Sequence, residues 1–265
     1  MMSMFVKRNW RICWRWMGRG LMLCASLLAL AGCEPPQLPG TPKPGNRPHS
    51  PDQDVSFEAL YSLNCAGCHG ADGELGPAPP LNDPMFLAII PPEELDRVVR
   101  NGRRGTPMPA FSQAAGGTLT DEQVQVIVDG LRKHWGDATI DAATLPPYLL
   151  TKVEGVQSAP GSRERGAQIF ERACATCHGK NGTGVKREGV VASAIHVPAF
   201  LALISDQALR RIIITGRHDL GMPTYAHDDG RPLDFEPLTP AEIDDLVALL
   251  ADWRATGGAT TAAQP

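Results

Sequence analysis

Asn64-Cys65-Ala66-Gly67-Cys68-His69-Gly70 and Ala173-Cys174-Ala175-Thr176-Cys177-His178-Gly179 each set two cysteines three apart, directly ahead of a histidine. The two motifs stand 109 residues apart, and the likeness continues beyond them. Leu81-Asn82-Asp83-Pro84 through Met108-Pro109 aligns without a gap on Ile195-His196-Val197-Pro198 through Met222-Pro223, at a constant offset of 114. Phe86 falls on Phe200, Leu95 on Leu209, Gly102 on Gly216 and Arg103 on Arg217. The second unit therefore carries five extra residues between its motif and Pro198. Leu119-Thr120 and Leu238-Thr239 each open an amphipathic stretch that closes on Trp135 or Trp253. Two copies of one domain account for all of this.

A Cys-x-x-Cys-His run has a direct chemical reading as a haem attachment site. Two cysteines on one helical turn can each form a thioether to the same porphyrin edge, and the adjacent histidine then faces the iron. Cys65, Cys68 and His69 are assigned these roles in the first domain, and Cys174, Cys177 and His178 in the second. The rival readings are a zinc site and a thiol–disulfide redox pair. Zinc ordinarily takes four protein ligands per site, and a redox Cys-x-x-Cys follows a strand in an α/β fold. A sixth iron ligand must come from far along the chain. Met108 in Gly105-Thr-Pro-Met-Pro and Met222 in Gly221-Met-Pro-Thr-Tyr lie 39 and 44 residues after their histidines. The difference is the insertion again. Methionine beside proline is also ordinary packing, but recurrence at matched positions favours ligation. Met85 has Ala199 as its counterpart and is read as packing.

The secondary structure reads alike in both copies. Phe57 to Asn64 and Glu164 to Ala173 are short helices entering the cysteines. Pro92 to Arg100 and Asp206 to Ile214 carry apolar residues at helical spacing, Leu95, Val98 and Val99 matching Leu209, Ile212 and Ile213. Thr120 and Thr239 are N-caps of the closing helices. Each domain has about 85–95 residues and is too small to bury much apolar surface without a cofactor in its core.

The N-terminus has the three parts of a secretory signal. Lys7, Arg8, Arg11, Arg15 and Arg19 form its basic region, and Leu21 to Ala31 is an apolar run. That run is about half the ~20 residues of a membrane span. Leu30-Ala31-Gly32-Cys33 resembles the bacterial lipoprotein signal, which predicts lipidation at Cys33 and an exported protein anchored to a bacterial membrane on the periplasmic side. Prolines at 35, 36, 39, 42, 44, 48 and 51 then make an extended tether, about 3.1 Å per residue and roughly 60 Å at full stretch. The expected boundaries are 1–32 signal, 33–53 tether, 54–137 first domain, 138–162 linker, 163–256 second domain and 257–265 tail. The formal net charge is −4 although all charges in the first 32 residues are positive. Such an acidic mature chain excludes nucleic acid as a partner and points to basic patches on other proteins.

On these motifs each half resembles class I cytochrome c, and the whole is similar in layout to the duplicated di-haem cytochrome c4. The resemblance covers about two-thirds of the chain. It implies an all-α fold of two tandem cytochrome c-like domains, each a few short helices wrapped around one of two covalently bound haem c groups. It implies a Gly and an aromatic on the first helix packed against the last. Gly166 and Phe170 match in the second domain, whereas Phe57 replaces the Gly in the first, with Tyr61 matching Phe170; a different helix crossing is expected there. It implies a carbonyl near a proline accepting from the proximal histidine, with Pro77, Pro79 or Pro80 available in the first domain and no proline before Pro198 in the second. It implies single-electron transfer rather than enzymatic catalysis. The partners implied are a redox protein donor and acceptor, met by a tethered carrier or within a membrane respiratory or photosynthetic complex. A di-haem peroxidase-type enzyme would need a displaceable ligand, for which His134, His196, His218 and His227 are the spare histidines.

Overall fold

A computed structural model describes residues 50–150, 161–187, 190–192, 194–228 and 231–261. The signal, Cys33, the tether up to residue 49, linker residues 151–160 and the last four residues lie outside the described residues. None of the described helices is long and apolar enough to cross a membrane.

The first domain runs α1 (Phe57–Asn64), α2 (Ala66–His69), α3 (Pro84–Ile89), α4 (Pro92–Asn101) and α5 (Asp121–Trp135). The second repeats it as α6 (Arg163–Ala173), α7 (Ala175–His178), α8 (Pro198–Ala202), α9 (Asp206–Thr215) and α10 (Pro240–Thr261). The starts follow from local chemistry. Hydroxyls of Ser56, Thr120, Ser162 and Ser205 each accept a backbone N–H three residues on, the bond that satisfies an otherwise orphaned donor. Thr239 does the same for Glu242, whose carboxylate returns to the Thr239 N–H. The five-residue insertion folds as an antiparallel hairpin, β1 (Val185–Arg187) with β2 (Val190–Ala192), pairing Val185 with Ala192.

The anomaly at Phe57 has a spatial answer. A Cβ placed on Gly130 of α5 would fall on the Phe57 ring. In the second domain the sizes are exchanged: Gly166 of α6 lies directly against α10, where an added Cβ would come within 2.2 Å of the Asp245 backbone oxygen and 3.0 Å of the Leu249 Cβ. Leu249 is the counterpart of Gly130 by the offset that aligns Leu119 with Leu238. Each crossing has one large and one small residue, on opposite helices. The Phe57 ring also stacks on His134 at 4.3 Å and meets Trp135 edge-on.

The described part of the linker packs between the domains. Tyr148 is 1 % exposed and lies against Phe86, with ring centroids 5.9 Å apart. Its hydroxyl accepts from Arg103 of the first domain at 2.7 Å, and its carbonyl accepts from Gln207 of the second at 2.6 Å. Arg210, fully buried, donates to the Pro147 carbonyl at 2.9 Å and pairs with Asp244. A second set of bonds joins the domains directly. The Asp219 carboxylate accepts from the Leu75 N–H at 3.2 Å while held by Arg217 at 2.8 Å, and His218 stands 3.5 Å from Glu74.

Asp219 gives this seam a pH dependence. Its hydrogen bonds from Arg217 hold the carboxyl below its ordinary 3.8. Stability from that shift is complete above the ordinary value and drains away as pH falls through the lower folded one. We expect Asp219→Asn to lower the thermal midpoint at neutral pH and to flatten its fall between about pH 5 and pH 3. A parallel fall in both forms, followed calorimetrically, would show that the seam does not depend on this charge.

Candidate haem sites

Each motif occupies one helical turn. In the first domain Cys65 caps α1, and its carbonyl accepts from the N–H groups of Cys68 and His69 at 3.1 and 3.0 Å. The second repeats this from Cys174 to Cys177 and His178 at 3.2 and 2.9 Å. Glycines at positive φ then end both turns, Gly70 at 86° and Gly179 at 76°. The turn gathers two sulfurs and an imidazole on one short stretch, which is the donor set that attachment and axial ligation require.

The His69 ring settles the choice among the three prolines. Its Nδ1 donates to the Pro79 carbonyl at 2.8 Å, which leaves Nε2 as the lone-pair nitrogen and fixes the ring plane. Burial pushes His69 down to about 4, so the imidazole is neutral and ligand-competent at pH 7. Burial pushes the Cys65 and Cys174 thiols up to about 12. That is the opposite of an activated redox pair, whose attacking thiol is held low. Among the described residues no group of three or more His, Cys, Asp or Glu side chains is arranged to hold a metal ion. The chemistry of the turn fits haem.

The methionine segments are clamped alike. Arg103 N–H donates to the Met108 carbonyl at 3.1 Å, and Arg217 N–H to the Met222 carbonyl at 3.0 Å. The preceding residues, Gly102 at φ 67° and Gly216 at φ 74°, lie against the same backbone; a Cβ on Gly102 would come within 2.6 Å of the Met108 oxygen. Only glycine suits both demands. Both methionines are half-buried. Met85 is half-buried against the apolar core. Three of the spare histidines are engaged elsewhere: His134 on Phe57, His196 stacked on Trp253 at 4.3 Å, and exposed His218 beside Glu74. His227 is exposed next to Asp228. Sequence reading missed Arg211, which the fold carries from the second domain to the Pro80 carbonyl of the first; an arginine on an amphipathic helix gives no local signal of a contact 131 residues away.

Comparison with known proteins agrees with this geometry. Residues 53–129 match the family model described as cytochrome c oxidase, cbb3-type, subunit III, and residues 163–253 match that of cytochrome c. The cbb3-type cytochrome c oxidase subunit FixP of Sinorhizobium medicae is 29% identical over 186 residues, covering 66% of this chain and 55% of the relative. The cbb3-type subunit CcoP of an Azospirillum species is 27% identical over 143 residues, 50% of this chain and 41% of its own length. A dihydro-heme d1 dehydrogenase of Pseudomonas aeruginosa is 32% identical over 99 residues, 35% of this chain and 19% of that one. The chain thus spans about half the length of the first of these relatives, and less of the others. Two matched family models, one per half, on a helical fold with two equivalent attachment turns lead to one conclusion: this chain consists, in its described part, of two tandem cytochrome c-type domains, and it carries two covalently bound haem c groups.

Proposed function

We propose that this protein is a di-haem electron-transfer cytochrome, tethered to a bacterial membrane through Cys33 and passing single electrons between redox partners on the periplasmic side. Cys65 and Cys68 hold the first haem and Cys174 and Cys177 the second. His69 with Met108, and His178 with Met222, would ligate the two irons. When bound, each haem iron carries one electron by alternating between ferrous and ferric states. The chain's own residues do the rest. His69 is held in one tautomer by Pro79, the methionine loops are clamped by their arginines, and apolar burial disfavours the extra charge of the oxidised centre. The observation that supports the reading is the equivalence of the two Met108 and Met222 clamps, since irons that each took a methionine would suit electron transfer and would offer no open coordination site to an oxidase or peroxidase reaction.

The test is a ferric spectrum with a redox titration of the holoprotein. We expect two low-spin centres and a sulfur-to-iron charge-transfer band. Met108→Ala and Met222→Ala should each remove about half of that band and create one haem that binds cyanide. A wild-type protein that binds cyanide readily at one haem would mean that its methionine is not a ligand.

A second reading makes the chain a fixed subunit of a larger membrane electron-transfer complex, and the printed names of the FixP and CcoP relatives favour it. Co-purification of stoichiometric membrane subunits separates the two. A Cys33→Ser form should leave the membrane fraction if the tether is the sole attachment.

A further inference from the structure

We propose that Arg211, contributed by the second domain, is a positioning residue for the first haem: it holds the Pro79-Pro80 backbone that orients His69, and its buried positive charge, felt at His69, raises that haem's reduction potential. The inference rests on His69 being the iron ligand. Arg211 lies on α9, and its side chain is 6 % exposed. One guanidinium nitrogen donates to the Pro80 carbonyl, the peptide next to the Pro79 carbonyl that holds His69. The guanidinium lies over the Phe86 ring, 3.4 Å from its centroid, and such stacking fixes a planar cation where an ammonium would not sit. The loop orienting the first imidazole is therefore gripped from outside its own domain.

The charge is incompletely neutralised. The nearest carboxylate, Asp83, stands 3.9 Å away, and both the Asp83 Oδ2 and the Arg211 Nε lack a hydrogen-bond partner. Burial pushes Arg211 down to about 10, which leaves it cationic at neutral pH. Arg103 and Arg217 add further positive charge felt at His69. Positive charge in a poorly screened interior opposes loss of an electron from nearby iron. The counterpart in the first domain, Arg97, is 55% exposed and paired with Glu94. Arg97 donates to Glu94 within its own helix, so among the described residues the contribution is assigned to the first haem.

The experiment is a redox titration of wild-type holoprotein, Arg211→Met, Arg211→Lys and Arg97→Met, with each wave assigned by the hyperfine-shifted methyl signal of its methionine ligand. Arg211→Met should favour the ferric first haem about tenfold, a fall of 59 mV for one electron. Arg211→Lys, which loses the planar grip and so holds its charge less closely to the Pro80 carbonyl, should lower the same potential by about threefold in the equilibrium and alter the His69 ring signals. The second wave should stay in place, and Arg97→Met should move neither. If wild type lacks two methionine signals, the ligand reading fails and takes this inference with it. If both signals are present and Arg211→Met leaves the first potential unmoved, or moves only the second, this inference alone is overturned. Should Arg211→Met not retain both haems, Arg211→Lys decides by the same criterion.

Discussion

Replacing Asp244 with alanine destabilises the second domain by about 3–5 kcal/mol, because it leaves the buried Arg210 guanidinium without its counter-charge. Arg210 is fully buried and Asp244 nearly so. Burial already pushes the guanidinium down and the carboxyl up, each toward its neutral form. One Arg210 nitrogen has no partner even with Asp244 present. The position is thus poor in alternatives for a stranded cation. Urea unfolding followed by circular dichroism measures the effect. An Arg210→Met, Asp244→Leu double variant should recover most of the loss, since two apolar side chains remove the desolvation cost along with the attraction. A single variant no worse than the double would mean that water reaches Arg210. The pair has no equivalent in the first domain, where Asp96 and Gln125 stand at these positions. Arg210 also ties the linker carbonyl of Pro147 to α9.

The second large effect is a coupling. Gly130→Leu should destabilise the first domain by about 3 kcal/mol, since a side chain there must displace the Phe57 ring from a closely packed crossing. Phe57→Gly should cost a similar amount by opening a cavity and loosening α1. Together they recreate the Gly166–Leu249 arrangement of the second domain and restore the volume. The double variant should be more stable than the sum of the singles predicts by about 2 kcal/mol. Simple addition of the two losses in denaturant titrations would show that the two crossings are not interchangeable solutions.

These cases mark how far the sequence could be read. The starts of the closing helices were legible because caps are local: Thr120 and Thr239 act within three residues of themselves. The attachment turns were legible because their donors are contiguous. The methionine loops needed the duplication, which turned a weak Met-Pro signal into a repeated one. Phe57 was legible as an anomaly, but its remedy lay on another helix. Gly130 in a helix interior reads as a flaw until the ring it admits is seen. Tyr148 sat in a stretch read as linker by its Pro, Ala and Thr content, and composition does not reveal that one aromatic is wedged between Arg103, Phe86 and Gln207. Arg211 was invisible for the same reason: long-range contacts leave no periodicity.

The seam between the domains joins unlike surfaces. The segment after the first attachment turn, residues 74–80, meets the α9 region of the second domain. A head-to-tail contact of this kind does not close on itself, and in principle it admits a further copy at either end. The equivalent surfaces outside the seam differ from those within it. At one, Arg97 occupies the place of Arg211 but is turned to solvent and occupied by Glu94, where the second domain has Ala208. At the other, the hairpin of β1 and β2 is inserted into the stretch that would have to receive another α9. The five added residues therefore make the surface after the second attachment turn chemically distinct from its counterpart after the first.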